Sequence, residues 1–216
     1  MMLQLNDSVR NVLCIGAHAD DIEIGCGGTL MHLLAVQPDL HVHWCVFSAD
    51  QERAREARLS AQLYLSQTKS HQIDIQSFRD SYFPSQYTLI KEYLHSVQSA
   101  VKPDLIFTHR MEDRHQDHRL LSELTHCVFR GPLILEYEIP KFDGDLLPMN
   151  MVVPCSREHS DLKIARLFQC FQSQSSRSWF DEEMFRGHLR MRGIEGGSGS
   201  KYAEAFCLRK TVLRIA

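Results

Sequence analysis

The sequence lacks an excess of charge of either sign. Its 216 residues carry 24 lysines and arginines against 27 acidic residues, a formal net charge of −3 at pH 7. A surface that binds nucleic acid shows a basic excess or a basic stripe, so this balance argues against DNA or RNA as a partner. An anionic partner would need a local basic patch.

Long apolar runs are also missing. No stretch approaches the roughly 20 apolar residues that cross a bilayer. The first ten residues, MMLQLNDSVR, lack the basic start and apolar centre of a signal peptide. These observations predict a cytoplasmic protein with no membrane span.

Paired cysteine motifs are absent as well. The seven cysteines are scattered, odd in number and include no CxxC pair, as expected for reduced thiols in a cytosol. A chain of this length can bury one sizeable core, so we predict a single domain over residues 1–216, with 140–216 as a candidate C-terminal subregion. Homo-oligomerisation is compatible with the sequence, but no motif indicates it.

Strand-like and helix-like segments alternate along the chain. The patterns predict strands at 11–17, 41–48, 71–75, 104–109, 132–139 and 203–213, and helices at 27–36, 50–65, 89–101, 118–129 and 157–174. Such alternation favours right-handed crossovers and a mostly parallel sheet. The predicted fold class is therefore α/β, Rossmann-like, with helices on both faces of the sheet.

The segment GAHADDIEIGCGGTL, residues 16–30, raises the question of a nucleotide site. A dinucleotide-binding loop places its glycines directly after the first strand. Here His18-Ala19-Asp20-Asp21 fills that turn, and the glycines follow it. Two carboxylates at this position would repel a phosphate, so the sequence disfavours a nucleotide.

Histidines and aspartates follow two separate predicted strands. The first group is the HADD turn, and the second lies in THRMEDRHQDHR, residues 108–119. Each segment alone is typical of a solvated turn or a helix cap. In open parallel sheets, however, the carboxyl ends of strands form the usual site, so the two segments together predict a functional centre.

These segments resemble the signature motifs of the LmbE-like, or PIG-L-type, zinc-dependent N-deacetylases. GAHADDIEIGCGGTL is similar to the AHPDDxE motif of that family, and THRMEDRHQDHR to its second histidine and aspartate motif. The similarity extends to RAREARLSAQ, residues 53–62, and YAEAF, residues 202–206. Ala19 stands where the family usually has proline, a change that loosens the turn without removing a ligand. The resemblance implies the LmbE-like fold.

The resemblance also implies a metal centre. Its ligands would be His18, Asp21 and His118, and two imidazoles with one carboxylate suit a zinc ion that keeps one position open for water. Fe²⁺ is the alternative occupant. Zinc lowers the pKa of its water from about 16 towards about 7, and Asp20 would act as the general base that activates this water.

A second pair of residues would assist the reaction. His115, held by Asp117, would stabilise the negative oxygen formed when water attacks an acetamide and would later donate a proton. Asp113 is either an outer partner of the site or a helix cap. His109, at the end of its strand, either lines the site or packs beneath it.

Substrate contacts are less well defined. The resemblance points to Arg53 and Asp80 as groups that contact a sugar or an anion. Arg186, Arg190 and Arg192 form either an anion site or a solvated basic face, and Tyr82, Phe83, Trp179 and Phe180 either stack on a sugar or belong to the core. The implied reaction removes the N-acetyl group from an N-acetylglucosamine-type amino sugar in a larger conjugate.

Two other functions use the same residue types. A His-x-Asp with a distant histidine also occurs in iron-dependent oxygenases, but those sites usually lie in β-sandwich or jelly-roll cores rather than in alternating α/β chains. A non-catalytic sugar-binding module would keep the pocket without turnover. The presence of base, ligands and oxyanion partner favours the enzyme.

Overall fold

The computed structural model describes residue 5, residues 9–197 and residues 199–212. Within these residues there are seven strands: β1 Asn11–Gly16, β2 His41–Val46, β3 Ser70–Ile75, β4 Leu105–His109, β5 Leu133–Tyr137, β6 Met151–Cys155 and β7 Tyr202–Cys207. They form one sheet in the order β3-β2-β1-β4-β5-β7-β6. The first five strands are parallel, whereas β7 runs antiparallel to β5 and β6 runs antiparallel to β7.

Six α-helices cover the sheet over the same residues. They are α1 Asp21–Val36, α2 Gln51–Leu65, α3 Tyr87–Val101, α4 Gln116–Val128, α5 Arg157–Cys170 and α6 Glu182–Glu195. Buried side chains of α1, α2, α5 and α6 join one apolar core and those of α3 and α4 join the other. This confirms the predicted α/β class, with a mostly parallel sheet and helices on both faces. No helix in the described ranges combines the length and apolarity of a membrane span.

The strand order places a crevice between β1 and β4. The chain moves outward from β1 to β2 and β3, then returns to add β4 on the other side of β1. The turns after β1 and β4 therefore leave the sheet in opposite directions at the same edge, which is where ligands bind in open α/β sheets. Both predicted histidine and aspartate segments begin at this crevice.

The start of α1 differs from the prediction. The helix begins at Asp21 rather than near Gly27, so the glycines lie within it. A Cβ on Gly25 would stand 2.2 Å from the ring of Tyr137. The glycines thus allow α1 to lie directly against the sheet, and they do not mark a helix start.

Two elements near the C-terminus were not predicted. Strand β6 lies at the sheet edge, where Pro154 is tolerated because its missing N–H removes no essential ladder bond. Helix α6 contains Arg192, which is 2% exposed and donates to Glu138 at 2.6 Å, so this arginine is neither solvated nor free for an anion. The last strand, β7, is shorter than the predicted strand 203–213 because it ends at Cys207. Residue 213 lies outside the described residues.

A buried ion pair connects the YAEAF segment to α1. Glu204 accepts the backbone N–H groups of Gly28 and Thr29 at 2.8 and 2.6 Å. Lys163 of α5 donates to Glu204 and to the carbonyl of Ile24, both at 2.6 Å. Since both oxygens of Glu204 and the ammonium group of Lys163 have hydrogen-bond partners, the burial of these two charges is compensated. The ion pair fixes the helix that follows the HADD turn.

Candidate active site

The turn after β1 directs three polar side chains into the crevice. The backbone N–H of His18 donates to Asp21 Oδ2 at 2.6 Å, which closes the turn just before α1. Asp20 occupies the N-cap position of α1, but its side chain makes no cap hydrogen bond. The carboxylates of both aspartates are therefore available for roles other than helix capping.

His18, Asp21 and His118 converge on one point. His18 Nδ1 lies 3.1 Å from His118 Nε2 and 3.4 Å from Asp21 Oδ2, and His118 Nε2 lies 3.6 Å from Asp21 Oδ2. Ligand atoms about 2.1 Å from a tetrahedral zinc ion lie roughly 3.4 Å apart. The spacing of these three atoms therefore fits a single metal ion.

His118 is oriented by a carboxylate behind it. Its Nδ1 lies 3.0 Å from Asp113 Oδ2, and Asp113 Oδ1 accepts from Lys141 Nζ at 2.9 Å and from the N–H of His115 at 2.8 Å. Burial, together with the nearby His109, lowers the pKa of His118 to about 3. The imidazole is thus neutral, with Nδ1–H bound to Asp113 and the Nε2 lone pair directed at the crevice. Asp113 acts as an outer partner of the site.

His18 has carboxylates on its other nitrogen. Its Nε2 lies 3.1 Å from Asp80 Oδ1 and 3.5 Å from Asp117 Oδ2. Burial lowers the pKa of His18, but hydrogen bonds to Asp117, Asp21 and Asp80 outweigh burial and raise that pKa well above 6.5. The negative charge gathered around this imidazole favours a positive charge at the site.

Asp117 also fixes a loop across the crevice. Its carboxylate accepts the N–H groups of Ser81 at 2.6 Å and Phe83 at 3.0 Å. Ser81 has a φ of +64°, a left-handed conformation that non-glycine residues adopt at a cost. These contacts hold Asp80, whose side chain is 67% exposed, at the open edge beside His18.

The predicted contact between His115 and the Asp117 carboxylate is not found. His115 is the N-cap of α4, so its Nδ1 accepts the backbone N–H of Asp117 at 3.3 Å, while the Asp117 carboxylate faces the 81–83 loop and His18. Burial and the nearby His18 lower the pKa of His115. The expected hold of the Asp117 carboxylate on His115 is therefore wrong, because the helix cap uses His115 Nδ1 as an acceptor for a backbone N–H.

Asp20 is buried beside Arg53. Arg53 Nη2 lies 2.9 Å from Asp20 Oδ2 and its Nη1 lies 2.8 Å from Glu56. The contact between Arg53 and Asp20 Oδ2 is an ion pair within hydrogen-bonding distance. Burial raises the pKa of Asp20 above its usual value, and Arg53 opposes that rise. The structure thus places the Arg53 guanidinium against the buried Asp20 carboxylate.

His109 packs beneath the three converging residues. Its ring stacks on His118 with 3.9 Å between centroids, and its Nε2 accepts the N–H of Ala17 at 2.9 Å. Groups that could hold a metal ion include Asp21 with His109 and His118, and His18 with His115 and His118. Because the Nε2 lone pair of His109 already accepts an N–H, we assign His109 to support rather than to ligation.

The part of the sequence that forms the crevice matches a known family. A family model described as PIG-L: GlcNAc-PI de-N-acetylase matches residues 13–129, more than half of the chain, and this range includes both histidine and aspartate segments. The chain belongs to the PIG-L family. It is accordingly a deacetylase of the PIG-L, or LmbE-like, type, and the expected family resemblance is confirmed.

Relatives of this PIG-L family chain are distant in sequence. It is 26% identical over 174 residues to YaiS of Escherichia coli K12, an uncharacterised deacetylase, with 73% of this chain and 89% of the relative covered. The N,N'-diacetylchitobiose deacetylase from Pyrococcus horikoshii has a TM-score of 0.72 at 20% identity, over 94% of this chain and 84% of that one.

One similar structure has a different activity in its name. GalB, the 4-carboxy-2-hydroxymuconate hydratase from Pseudomonas putida KT2440, has a TM-score of 0.74 at 15% identity, over 96% of this chain and 100% of that one. The fold is therefore shared by a deacetylase and a hydratase. The reaction of this PIG-L chain must be argued from its site residues and not from the fold.

Proposed function

We propose that this protein is a metal-dependent hydrolase that removes the N-acetyl group from an N-acetylglucosamine-type amino sugar in a larger conjugate. The observation that carries the proposal is the spacing of His18 Nδ1, Asp21 Oδ2 and His118 Nε2, which lie 3.1–3.6 Å from one another. These three residues would hold a Zn²⁺ or Fe²⁺ ion. The family match to a GlcNAc-PI de-N-acetylase model supports the choice of an acetylated amino sugar.

The bound metal would supply Lewis acidity, which lowers the pKa of a water molecule to near 7 and polarises the acetamide carbonyl. Asp20 is then the general base, because its carboxylate is buried, directly precedes the ligand Asp21 in the chain and does not cap α1. It removes one proton from the attacking water as the new C–O bond forms. The protonated Asp20 then returns this proton to the nitrogen of the leaving amine as the C–N bond breaks, and acetate is released.

His115 is suited to stabilise the negative oxygen as a neutral donor. Since its Nδ1 accepts the N–H of Asp117, the ring proton must lie on Nε2. One ring nitrogen of His115 is within 4.8 Å of a ring nitrogen of both His18 and His118. A hydrogen bond from His115 to the developing oxyanion would strengthen as charge accumulates there.

Asp80 is the group best placed to recognise the sugar. Its side chain is two-thirds exposed at the edge of the crevice, and an ionised carboxylate accepts hydrogen bonds from sugar hydroxyls. Arg53 remains a proposed substrate contact, with a further effect on Asp20 through their ion pair. The iron-oxygenase alternative loses its structural support, because the observed sheet is mostly parallel and covered by helices rather than part of a β-sandwich.

The experiment combines metal analysis with acetate release. Purified protein is expected to contain about one divalent metal ion per chain and to release acetate from glycosides of N-acetylglucosamine. Removal of the metal with a chelator should abolish release, and added Zn²⁺ or Fe²⁺ should restore it. Full turnover by chelated protein would overturn the proposal, and binding of glycosides without any turnover would support a binding module instead.

The structure predicts that Asp113 and Asp117 both support the metal ligands. Asp113→Asn and Asp117→Asn should each weaken metal affinity by about 10–100-fold, the usual effect of losing the carboxylate behind a liganding histidine. Asp113 would act through His118 and Asp117 through His18. Competition with a chromophoric chelator measures the affinity, and thermal unfolding checks that each variant remains folded.

The same measurement separates two roles for Asp117. If Asp117 instead acts through His115, the Asp117→Asn protein should keep wild-type metal affinity and lose only kcat. Equal metal affinity in the wild type and Asp117→Asn would therefore contradict the arrangement in which Asp117 supports His18.

A further inference from the structure

Helix α2 carries a second carboxylate next to the arginine that pairs with Asp20. Glu56 follows Arg53 by three residues, so both side chains lie on the same face of the helix. Arg53 Nη1 donates to Glu56 Oε2 at 2.8 Å, while Arg53 Nη2 lies 2.9 Å from Asp20 Oδ2. One guanidinium therefore contacts two carboxylates, each through a different terminal nitrogen.

The three charged groups are largely shielded from water. The exposed fraction of the side chain is 6% for Asp20, 16% for Arg53 and 11% for Glu56. Ion pairs at an open surface contribute little, because water screens the charges. Removing one partner of a shielded pair leaves the other charge without compensation. The position of the guanidinium therefore depends on both carboxylates.

Glu56 is itself fixed by a turn from a distant part of the chain. The short turn Gln172–Gln174 follows α5 and places Ser173 against Glu56. The backbone N–H of Ser173 donates to Glu56 Oε1 at 2.8 Å, and the Ser173 hydroxyl donates to Glu56 Oε2 at 2.7 Å. The same hydroxyl accepts from Arg53 Nη1 at 3.3 Å. The Glu56 carboxylate is thus held in one orientation towards Arg53.

Arg53 is also bounded by an aromatic ring and a helix cap. The buried ring of Phe171 lies 5.2 Å from Arg53 Cζ, within the range of a cation–π contact. Asp50, the N-cap of α2, accepts the backbone N–H of Arg53 at 2.9 Å. Within this frame, Glu56 supplies the negative charge at the guanidinium nitrogen that does not face Asp20.

We propose that Glu56 is a positioning residue for deacetylation, because it holds the Arg53 guanidinium against Asp20 and so keeps the Asp20 carboxylate directed at the attacking water. The inference rests on the proposed function, in which Asp20 is the base. Glu56 acts only through Arg53, since Arg53 and Ser173 occupy both of its oxygens. A displacement of about 1 Å at a reacting group can lower a rate by about a hundredfold, so an indirect contact can have a large effect.

The test removes the charge of Glu56 and keeps its size. Glu56→Gln should lower kcat for acetate release from a glycoside of N-acetylglucosamine by about 10–100-fold and change KM less than about threefold, because the disturbed group acts in the chemical step. A higher KM with an unchanged kcat would overturn the inference, since Glu56 would then serve substrate binding. Wild-type values of both constants would also overturn it.

Glu52→Gln is the matched control. Glu52 is exposed on the same helix, one turn before Glu56, so this variant should have the kcat and KM of the wild type. If Glu56→Gln does not fold, Glu56→Asp takes its place, because it keeps the charge and shortens the reach by one methylene. A lower kcat of Glu56→Asp at unchanged KM supports the inference, and an unchanged kcat overturns it.

A double-mutant cycle separates positioning from a structural role. If Glu56 acts through Arg53, Glu56→Gln should lower kcat less than about twofold in a protein that already carries Arg53→Ala. Losses that multiply in the double variant would overturn the inference. Ser173→Ala keeps the contact between Arg53 and Glu56 and should keep the kcat of the wild type. A loss as large as that of Glu56→Gln would assign the effect to the Gln172–Gln174 turn and would also overturn it.

Crystal structures separate this inference from the proposed function. If the wild type releases acetate from no substrate, the proposed function fails, and the structures of the wild type and Glu56→Gln still test the positioning. Displacement of the Arg53 guanidinium from Asp20 in the variant supports it. A contact between Arg53 and Asp20 that stays at 2.9 Å in the variant overturns it.

Discussion

Asp20→Asn is expected to lower kcat for acetate release by about a hundred- to ten-thousand-fold, the usual contribution of a general base. The amide has nearly the shape of the carboxylate but cannot take a proton from water. Asp20 is not one of the three converging ligand residues, so the variant should retain about one metal ion per chain. Initial rates and metal content of the same preparation measure the two quantities together.

Asp39→Asn provides the same chemical change away from the site. The Asp39 side chain is 68% exposed and pairs only with Lys69 among the described residues. The Asp39→Asn variant should therefore release acetate as fast as the wild type. Two outcomes would contradict the assignment. Full activity of Asp20→Asn would remove Asp20 from the mechanism, and loss of metal from this variant would place Asp20 among the ligands.

Gly25→Ala is expected to lower the free energy of unfolding by about 3 kcal/mol or more, at the upper end for overpacking of a core. The added Cβ would stand 2.2–2.7 Å from three ring atoms of Tyr137. This ring is fully buried and its hydroxyl donates to the carbonyl of Ile15 at 2.6 Å, so it cannot turn aside. For a chain of this length, the loss corresponds to a Tm lower by about 6–12 °C.

Gly187→Ala is the control for helix propensity. Gly187 lies within α6, and a Cβ there meets no atom within 4 Å. Alanine should therefore stabilise this helix by about 0.5–1 kcal/mol. Circular dichroism at rising temperature gives both values, and a Gly25→Ala protein as stable as Gly187→Ala would show that α1 does not pack against Tyr137 as described.

The crevice between β1 and β4 was largely predictable, because its position follows from the order of strands and helices along the chain. Once strands and helices alternate, the carboxyl ends of parallel strands must share one sheet edge. His18 and His118 follow two such strands, and the structure brings their ring nitrogens to 3.1 Å. Their identity as metal ligands stays a prediction until the metal is measured.

The partners of the charged residues were less predictable. Asp117 and His115 are two residues apart, which favoured a direct contact between their side chains, but the helix start at Gln116 turns the Asp117 carboxylate toward residues 81–83 and His18. Arg192 was expected in either an anion site or a solvated basic face, yet it is buried against Glu138. Contacts between residues tens of positions apart leave no periodic pattern in the sequence.

The sequence by itself determined the α/β class, the family and the sheet edge at which the histidines and aspartates meet, because hydrophobic periodicity and strand order act locally along the chain. The tertiary structure decided which nitrogen of each histidine faces a carboxylate and why the glycines of α1 are needed. Those features arise from segments near residues 25, 81, 117 and 137 that only packing brings together.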